Sequence, residues 1–503
     1  MSVRIGNCRL IVRFGIGALF LIQLWGCAWI PSGGRHAEYL KPPGMAHKLS
    51  EARDGEPLTA GRSWPEENWW RQFGSSELNR LMTMALAENP GLKAAAARLR
   101  AAEGFARVEG ARLLPFLDAE AEVATARFSE HGVNVALRGA HVVSGLINPL
   151  SFRYEFDFWG KNRAALEAAL GEAAAEEAEQ AEVHLQLTAA IARCYFRGVA
   201  LRQQLGLAED MVELRRQLLR LAETRYQLGL DAADPVKLAE SELEAAGKRQ
   251  ALTRDHLDLQ RNLLARLIGR GPDSTRHLFG DDVSLPERIP LPVKLPLELL
   301  VHRPDLASAL HRAEAAAQRI RVAKASFYPT VDMTAFVGLN ALRMTKGASS
   351  LANILFSGNS FAYGVAPGVR LPIFEGGRLR GQLSVQRAEY DEAVELYNKT
   401  LLQAAQEVAD SLSSWRDTRT IVEAQNRLLA SQREALGLAQ ERLRSGLDDR
   451  RAVLARRHSV LDHEYTLKIL ETDQLVAMTD LIEALGGGYD SGLDPARPQP
   501  IAD

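Results

Sequence analysis

Cysteine is nearly absent from this chain of 503 residues: only Cys8, Cys27 and Cys194 occur. Cys8 falls inside an N-terminal export signal and Cys27 at its cleavage point. Cys194 is then left alone, which excludes an intramolecular disulfide, and its helical neighbours suit a packed small residue rather than a nucleophile. Charge of one sign is also lacking. The formal net charge is -2, from 61 basic and 63 acidic residues, so nothing points to nucleic acid. Aromatic residues make up 7% although 46% of the chain is hydrophobic, because much of that fraction is alanine. An alanine-rich, charged composition reads as extended helical packing. Past the N-terminus no apolar run reaches the roughly 18 residues of a membrane-spanning helix. No zinc-type His/Cys cluster, Gly-rich phosphate loop or nucleophile elbow occurs. His458 and His463 are five apart, which suits neither helical ligand spacing. The expectation is a protein that is not an enzyme and holds neither cofactor nor metal.

Proline is missing from two long stretches, Gly160 to Gln227 and Gly377 to Ser445. Without the residue that breaks helices, each reads as one continuous helix of about 68 residues, spanning roughly 100 Å at 1.5 Å per residue. That is too long for a globular domain. Glycine punctuates their ends: Gly229 and Gly446 suit a left-handed cap. Asp234-Pro235 then reads as the N-cap and first residue of a returning helix. In the second long helix Leu379, Leu383, Tyr390, Val394, Tyr397, Leu401, Ala405, Val408, Leu412 and Trp415 follow a coiled-coil spacing, with Asp391, Glu395, Asn398 and Gln403 off the stripe.

The N-terminus has a basic region (Arg4, Arg9, Arg13) and a short apolar core, Phe14–Leu24, too short for a good transmembrane helix. "LWGC" then ends at Cys27 and resembles a bacterial lipobox, in which cleavage before the cysteine leaves a lipidated N-terminus. An ordinary signal peptide cut elsewhere is the other reading. By analogy with known lipoproteins, Ala28 rather than Asp after the cysteine favours the outer membrane. Such an anchor holds a protein to a membrane without spanning it.

The chain is written twice. "NPGLKAAAARLRAAEGFARVEGARLLPFLDAEAE" from Asn89 aligns without gaps to "RPDLASALHRAEAAAQRIRVAKASFYPTVDMTAF" from Arg303, an offset of 214. Phe158 and Gly160 match Phe374 and Gly376, and "RYQLGLD" (Arg225–Asp231) matches "RLRSGLD" (Arg442–Asp448). Matches of Pro, Gly and Asp over so long a stretch mean a tandem duplication. The organisation expected is a signal peptide (1–26), an N-terminal extended segment (27–74), a first repeat of helix, two strands, long helix and return helix (75–285), a second repeat (286–488) and a C-terminal tail (489–503).

The strand-like stretches alternate. In "FRYEFDFWGKNR", Phe152, Tyr154, Phe156 and Phe158 share one face, with Arg153, Glu155 and Asp157 between them. Val331, Met333, Ala335, Val337 and Leu339 oppose Asp332, Thr334 and Asn340. Leu117, Ala119, Ala121 and Val123 oppose Asp118, Glu120 and Glu122. Phe361, Tyr363, Val365, Val369 and Leu371 alternate likewise. Apolar outward and polar inward is the pattern of a transmembrane β-barrel. A soluble sandwich shares the alternation, but an export signal and long helices argue against it. Four strands cannot enclose a channel, since single-chain barrels start at eight. Copies of the chain must therefore close the ring: two would give eight strands, three twelve.

These residues resemble the outer-membrane efflux channel family of the TolC and OprM type, in its NodT-like lipoprotein branch. The similarity is carried by "WWRQFGSSELNRLMTMALAENPGLKAAAARL", "LLVHRPDLASALHRAEAAAQRIRVAKASFYPTVDM", "DFWGKNRAALEAAL", "LPIFEGGRLRGQL" and "ALGGGY". The resemblance implies a mainly α fold with a membrane β-barrel part. In a homotrimer, four strands per chain build a twelve-stranded barrel continuous with a periplasmic helical tunnel, and lipid on Cys27 rests in the outer membrane. It implies a passive exit duct for small toxic compounds in a tripartite pump, working with a periplasmic adaptor and an inner-membrane transporter. The exit channel of a type I protein-secretion system is the alternative. The family's Arg-x-x-x-Gly tip turns, where adaptors dock, transfer to Arg225, Gly229 and Leu230 and to Arg442, Gly446 and Leu447. Where some family members close the tip with aspartates this chain has Ala452 and Ala455, with Asp448 and Asp449 nearby but displaced. These four are the gate positions to examine.

Overall fold

The computed structural model describes residues 68–280 and 302–490, apart from most positions of 132–137 and 346–357, together with most of 30–43. Cys27, the signal segment and nearly all of the C-terminal tail lie outside the described residues. So does the boundary between the repeats. The first repeat contains α1 (Ser76–Glu88), α2 (Pro90–Ala111), β1 (Phe116–Arg127), β2 (His141–Phe156), α3 (Lys161–Gln227) and α4 (Asp234–Leu267). The second contains α5 (Pro304–Ala325), β3 (Thr330–Thr345), β4 (Phe361–Arg370), α6 (Arg378–Arg444) and α7 (Arg450–Ala484). Both long helices have 67 residues, as the proline-free runs predict. Their N-caps are Gly160 and Gly377, so Gly377 rather than Gly376 is the structural counterpart of Gly160. No helix among the described residues is long and apolar enough to cross a membrane.

The aromatic strand turns into α3 through an elbow built by its own sequence. β2 stops at Phe156, so Phe158 lies beyond the strand; its ring stacks on Phe156 with centroids 5.6 Å apart. Asp157 supplies the helix cap. Its carboxylate accepts from the backbone N–H groups of Asn162 and Arg163, both at 3.0 Å, which would otherwise point at nothing. Trp159 Nε1 donates to the carbonyl of Pro329 at 2.7 Å and stacks on Tyr328, tying the elbow to the start of β3. At the start of α4 the cap is Ala233, with no side-chain bond, and Asp234 is the first helical residue, so the expected Asp234 cap is not made.

The four strands among the described residues form one antiparallel sheet in the order β1-β2-β3-β4, and no described strand pairs with the outer edge of β1 or β4. Register sorts the faces. Leu117, Phe152, Ala335 and Val365 lie in one row, and Phe156, Val331 and Val369 in another on the same side. Asp118 and Ser151 lie on the other side, as do Arg153 and Thr334 and, in the next row, Glu155 and Asp332. Strict alternation fails at one place. The pairing shifts between Ile147 and Leu150, where Asn148 and Pro149 together oppose Gly338. Proline has no N–H for the ladder and sits at such bulges. Below the bulge the apolar face of β2 is Leu150, Phe152, Tyr154 and Phe156; above it, Ile147 and Gly145.

The helices make one layer. α3 packs against α2, α4, α5 and α7, and α6 against α5 and α7. The two short helices of each repeat meet end to end. In the first repeat Asn89 Nδ2 donates to the carbonyl of Leu267 at 2.7 Å, and Arg270 grips Glu88 at 2.7 and 2.6 Å. In the second, Arg303 Nη1 donates to the carbonyl of Ala484 at 2.8 Å. The layer order is therefore a rod of α4 and α2, then α3, then a rod of α7 and α5, then α6. The layer curls, since α2, α3, α5 and α6 all line one cleft of about 1090 Å³ beside the sheet. The main core lies midway along α3, where Tyr195, Phe196 and Val199 pack with Phe73, Leu78, Met82 and Phe279. The segment expected to be extended through residue 74 ends in a helical turn, Trp69–Phe73, whose aromatic rings enter this core.

The stripe on α6 is buried as its spacing predicts, with Tyr397 only partly so. Asn398 corrects the reading. It is 4% exposed, not off the stripe. Its Oδ1 accepts from Leu40 N at 2.8 Å and its Nδ2 donates to Glu38 O at 3.0 Å. One heptad earlier Asp391 Oδ1 accepts from Ala37 N at 2.9 Å. The described residues between Ile30 and Leu40 are thus strapped along α6, with Tyr39 edge-on to Tyr397. Asn398→Leu keeps the size but orphans two backbone groups of the strap, each worth about 1 kcal/mol. Limited proteolysis should then cut within residues 30–43 faster, with the helical core unaffected.

Candidate functional site

The two tips use one device. α3 and α6 end at Gly229 and Gly446, each with φ of 70°, a conformation that favours glycine. In the first tip Leu230 N donates to Arg225 O at 2.8 Å and Gly229 N to Tyr226 O at 2.9 Å. In the second Leu447 N donates to Arg442 O at 2.9 Å and Gly446 N to Leu443 O at 3.1 Å. This double closure folds the chain back so that the residue six after the arginine faces it. Arg225 grips Asp231 with Nε and Nη2 at 2.6 and 3.0 Å, whereas Arg442 reaches Asp448 through Nε alone at 3.3 Å. The hydrogen bonds from Arg225 hold the Asp231 carboxyl below its ordinary range, helped by the charges of Arg225 and Arg451. Arg451, whose Nη1 lies 3.7 Å from Asp231, ties the tips together.

The two arginines of the motif are therefore engaged with their own turns. The tips also present apolar side chains outward: Leu230 is 60% exposed and Leu447 71%, the latter beside the exposed Arg442 and Arg444. Of the gate positions, Asp449 caps α7, accepting from Arg451 N at 2.9 Å and Ala452 N at 3.1 Å. Asp448 accepts from Asp449 N at 3.0 Å besides facing Arg442. Ala455 is exposed and Ala452 partly so. Both aspartates have structural partners within their own turn. The sequence carried a signal for the Arg–Asp closure, since Arg and Asp recur six apart in both copies.

A second charged constellation lies where α7 meets α5. Arg303 is buried; its Nη2 reaches Asp305 at 2.8 Å and Glu407 at 2.7 Å. Arg193 bridges Asp480 at 2.7 Å and Glu483 at 2.5 Å. Glu182 adds a further acid to this group. Burial pushes its carboxyl up to about 7, Asp305 adds to the shift, and the hydrogen bond from Gln186 and the charge of Arg303 oppose it. A carboxyl whose folded value is raised from an ordinary 4.5 to about 7 gives stability below 4.5 that is lost as pH rises through 7. Glu182→Gln removes that loss. The variant should match the parent near pH 4 and melt higher at pH 8, by about 1–2 kcal/mol. Thermal melts across that range check it.

The family described as outer membrane efflux protein matches residues 81–270 and 295–487. The multidrug resistance outer membrane protein MdtP of Shigella flexneri is 28% identical over 493 residues, covering 96% of this chain and 97% of that one. The pyoverdine export outer membrane protein OpmQ of Pseudomonas putida is 30% identical over 460 residues, covering 90% and 94%. Among solved structures, the outer membrane protein VceC of Vibrio cholerae is 34% identical, with a TM-score of 0.74, covering 85% of this chain and 100% of that one.

Proposed function

This chain belongs to the outer membrane efflux protein family, and from that premise we propose that three copies form the exit duct of a tripartite efflux pump. The observation that carries the reading is the four-stranded sheet with one apolar face and two edges that no described strand pairs, joined directly to 67-residue helices. A free edge offers unpaired N–H and C=O groups, and inside a bilayer each would cost several kcal/mol. Pairing β1 of one copy with β4 of the next removes both edges, and three copies give twelve strands. The helical layer has matching edges. Exposed Phe105 and Leu259 on one rod, and Leu396, Leu402 and Leu438 on α6, supply apolar surface for the same neighbours to cover.

The strap supports lipidation of Cys27. Arg387 holds Pro31, Asp391 holds Ala37 and Asn398 holds Leu40, so the strap runs from the sheet end of α6 toward the tip. Ile30 packs against the apolar cluster that holds Ile320, Phe327, Leu379, Leu383, Tyr390 and Val394. The first described residues of the strap thus lie toward the barrel, the end at which a lipid anchor in the outer membrane would be needed. Leu230 and Leu447 suit docking of a periplasmic adaptor, and an inner-membrane transporter supplies the energy. The relatives' names, multidrug resistance and pyoverdine export, favour small molecules over the type I protein-secretion alternative.

Native mass spectrometry of detergent-extracted protein tests this directly. A trimer of chains beginning at Cys27, each carrying lipid, is expected. A trimer without lipid would keep the duct and remove the anchor. A monomer that needs no detergent would remove the barrel.

A further inference from the structure

The two copies of the tip differ in charge. Counted from the helix starts, the first eight residues of α4 (Asp234–Ser241) carry Asp234, Lys237 and Glu240, two acids and one base, a net charge of -1. The first eight of α7 (Arg450–Arg457) carry Arg450, Arg451, Arg456 and Arg457 and no acid, a net charge of +4. The turn does not require this, because the first tip makes the same double closure without it. Helix stability does not require it either. The N-terminus of a helix favours acids and disfavours cations. α4 obeys, with Asp234 in its first turn, whereas α7 has no acid there and opens on two arginines.

A second observation is that most of this charge is unspent. Arg451 is held by Asp449 at 2.7 Å and lies 3.7 Å from Asp231. Arg450, Arg456 and Arg457 are exposed, and no ion pair or hydrogen bond engages their side chains among the described residues. Arg442 and Arg444 close α6 beside them; Arg442 faces Asp448 and Arg444 pairs with Glu441, yet their side chains stay 61% and 72% exposed. Leu447 thus stands in a basic surround, and Leu230 in a slightly acidic one. Three copies would bring three such basic surfaces to one end of the assembly, where like charges repel. A surface that covers Leu447 and offsets that repulsion must bring carboxylates.

On the reading that this chain docks a periplasmic adaptor, on which this inference rests, we propose that the two tips are unequal docking sites. The α6–α7 tip takes the adaptor, through a segment that sets carboxylates around an apolar centre, and the α3–α4 tip is passed over. Arginine suits this part, because its planar fork pairs with carboxylates through two parallel hydrogen bonds. The acids of the first tip work in the opposite sense: like charges placed against an acidic partner disfavour the wrong site. Each copy of the chain thus offers one docking tip rather than two, and the choice between them is written in Arg450, Arg456 and Arg457 against Asp234 and Glu240.

The probe is a synthetic helical hairpin with glutamates flanking a leucine at its closed end, beside the same hairpin with glutamines. Both are titrated against the detergent-solubilised trimer. The glutamate hairpin should bind about tenfold tighter near 0.1 M salt, with the gap closing near 1 M. Native mass spectra of the mixture should saturate at one hairpin per copy. R450D/R456E/R457S gives α7 the residues that α4 carries at those helix positions, and should lose the preference while the trimer mass persists. D234R/E240R/S241R gives α4 the arginines, and should raise saturation to two hairpins per copy. A wild-type trimer that binds both hairpins equally overturns the inference and leaves the duct intact. So does an R450D/R456E/R457S trimer whose preference is undiminished. If that variant falls to monomers, the arginines serve the neighbouring copy and the inference fails. If it keeps the preference but no longer binds inositol hexaphosphate, they serve a small anion and the inference fails likewise. Wild-type protein that is monomeric and needs no detergent overturns the duct itself, and this inference with it.

Discussion

Arg303→Met is expected to lower the stability of the chain by about 3–5 kcal/mol, the usual consequence of removing one partner from a buried ion pair. Burial alone would favour the neutral guanidinium. Hydrogen bonds to Asp305, and the charges of Asp305 and Glu407, outweigh it and hold Arg303 above its ordinary range. Without Arg303, Asp305, Glu407 and Glu182 lose the cation they share, and the Ala484 carbonyl loses the donor that joins α7 to α5. Equilibrium unfolding in denaturant should show a lower midpoint with an unchanged slope. The double variant R303M/E407Q should regain part of the loss, because one uncompensated charge leaves with the arginine. A variant as stable as its parent would mean that water satisfies these carboxylates equally well.

Gly486→Ala should be as damaging for a different reason. Gly486 has φ of 88°, a left-handed conformation that costs an alanine about 1–2 kcal/mol. A Cβ there would also overlap the backbone carbonyl oxygen of His302. Backbone cannot swing aside as a long side chain can, so the ends of α7 and α5 must part. The corresponding glycine of the first repeat, Gly269, has φ of 77° and a would-be Cβ 2.9 Å from the carbonyl oxygen of Glu88. Gly269→Ala should therefore destabilise less. Melting temperatures of the two variants, measured side by side in detergent, should rank Gly486→Ala well below Gly269→Ala. The reverse order would show that the Arg270–Glu88 clasp governs its junction more than the glycine does.

Much of the fold was legible because this chain punctuates itself. Pro90, Pro304 and the proline-free runs mark helices, and period-two apolar residues mark strands whose faces the register bears out. Three features were not legible, and all depend on distance along the chain or on irregularity. The bulge at Asn148–Pro149 reverses the parity of β2, which no strict alternation anticipates. Asn398 looks like a surface residue of a coiled coil until a strap some 360 residues earlier is laid on it. Arg303 stands in the most recognisable stretch of the second repeat, but its partners Glu407 and Ala484 lie 104 and 181 residues away. At the tips the arginines, glycines and leucines were readable. That the arginines are spent on Asp231 and Asp448 follows only from the geometry of the closed turn.

The end-to-end rods bear on how this molecule comes into being. Neither rod is a piece of contiguous chain: Asn89 meets Leu267 across 178 residues, and Arg303 meets Ala484 across 181. Each must therefore close a loop containing two strands and a 67-residue helix before its halves can touch. Such closures carry an entropic cost with no early contacts to offset it, and topologies dominated by them fold slowly. The second rod cannot exist until α7, the last described helix, has been synthesised. A nascent or truncated chain ending before residue 484 would carry an exposed α5 end, with Arg303 lacking the Ala484 carbonyl it donates to. Quality control in the compartment where the chain folds thus has a simple sign of incompleteness to read.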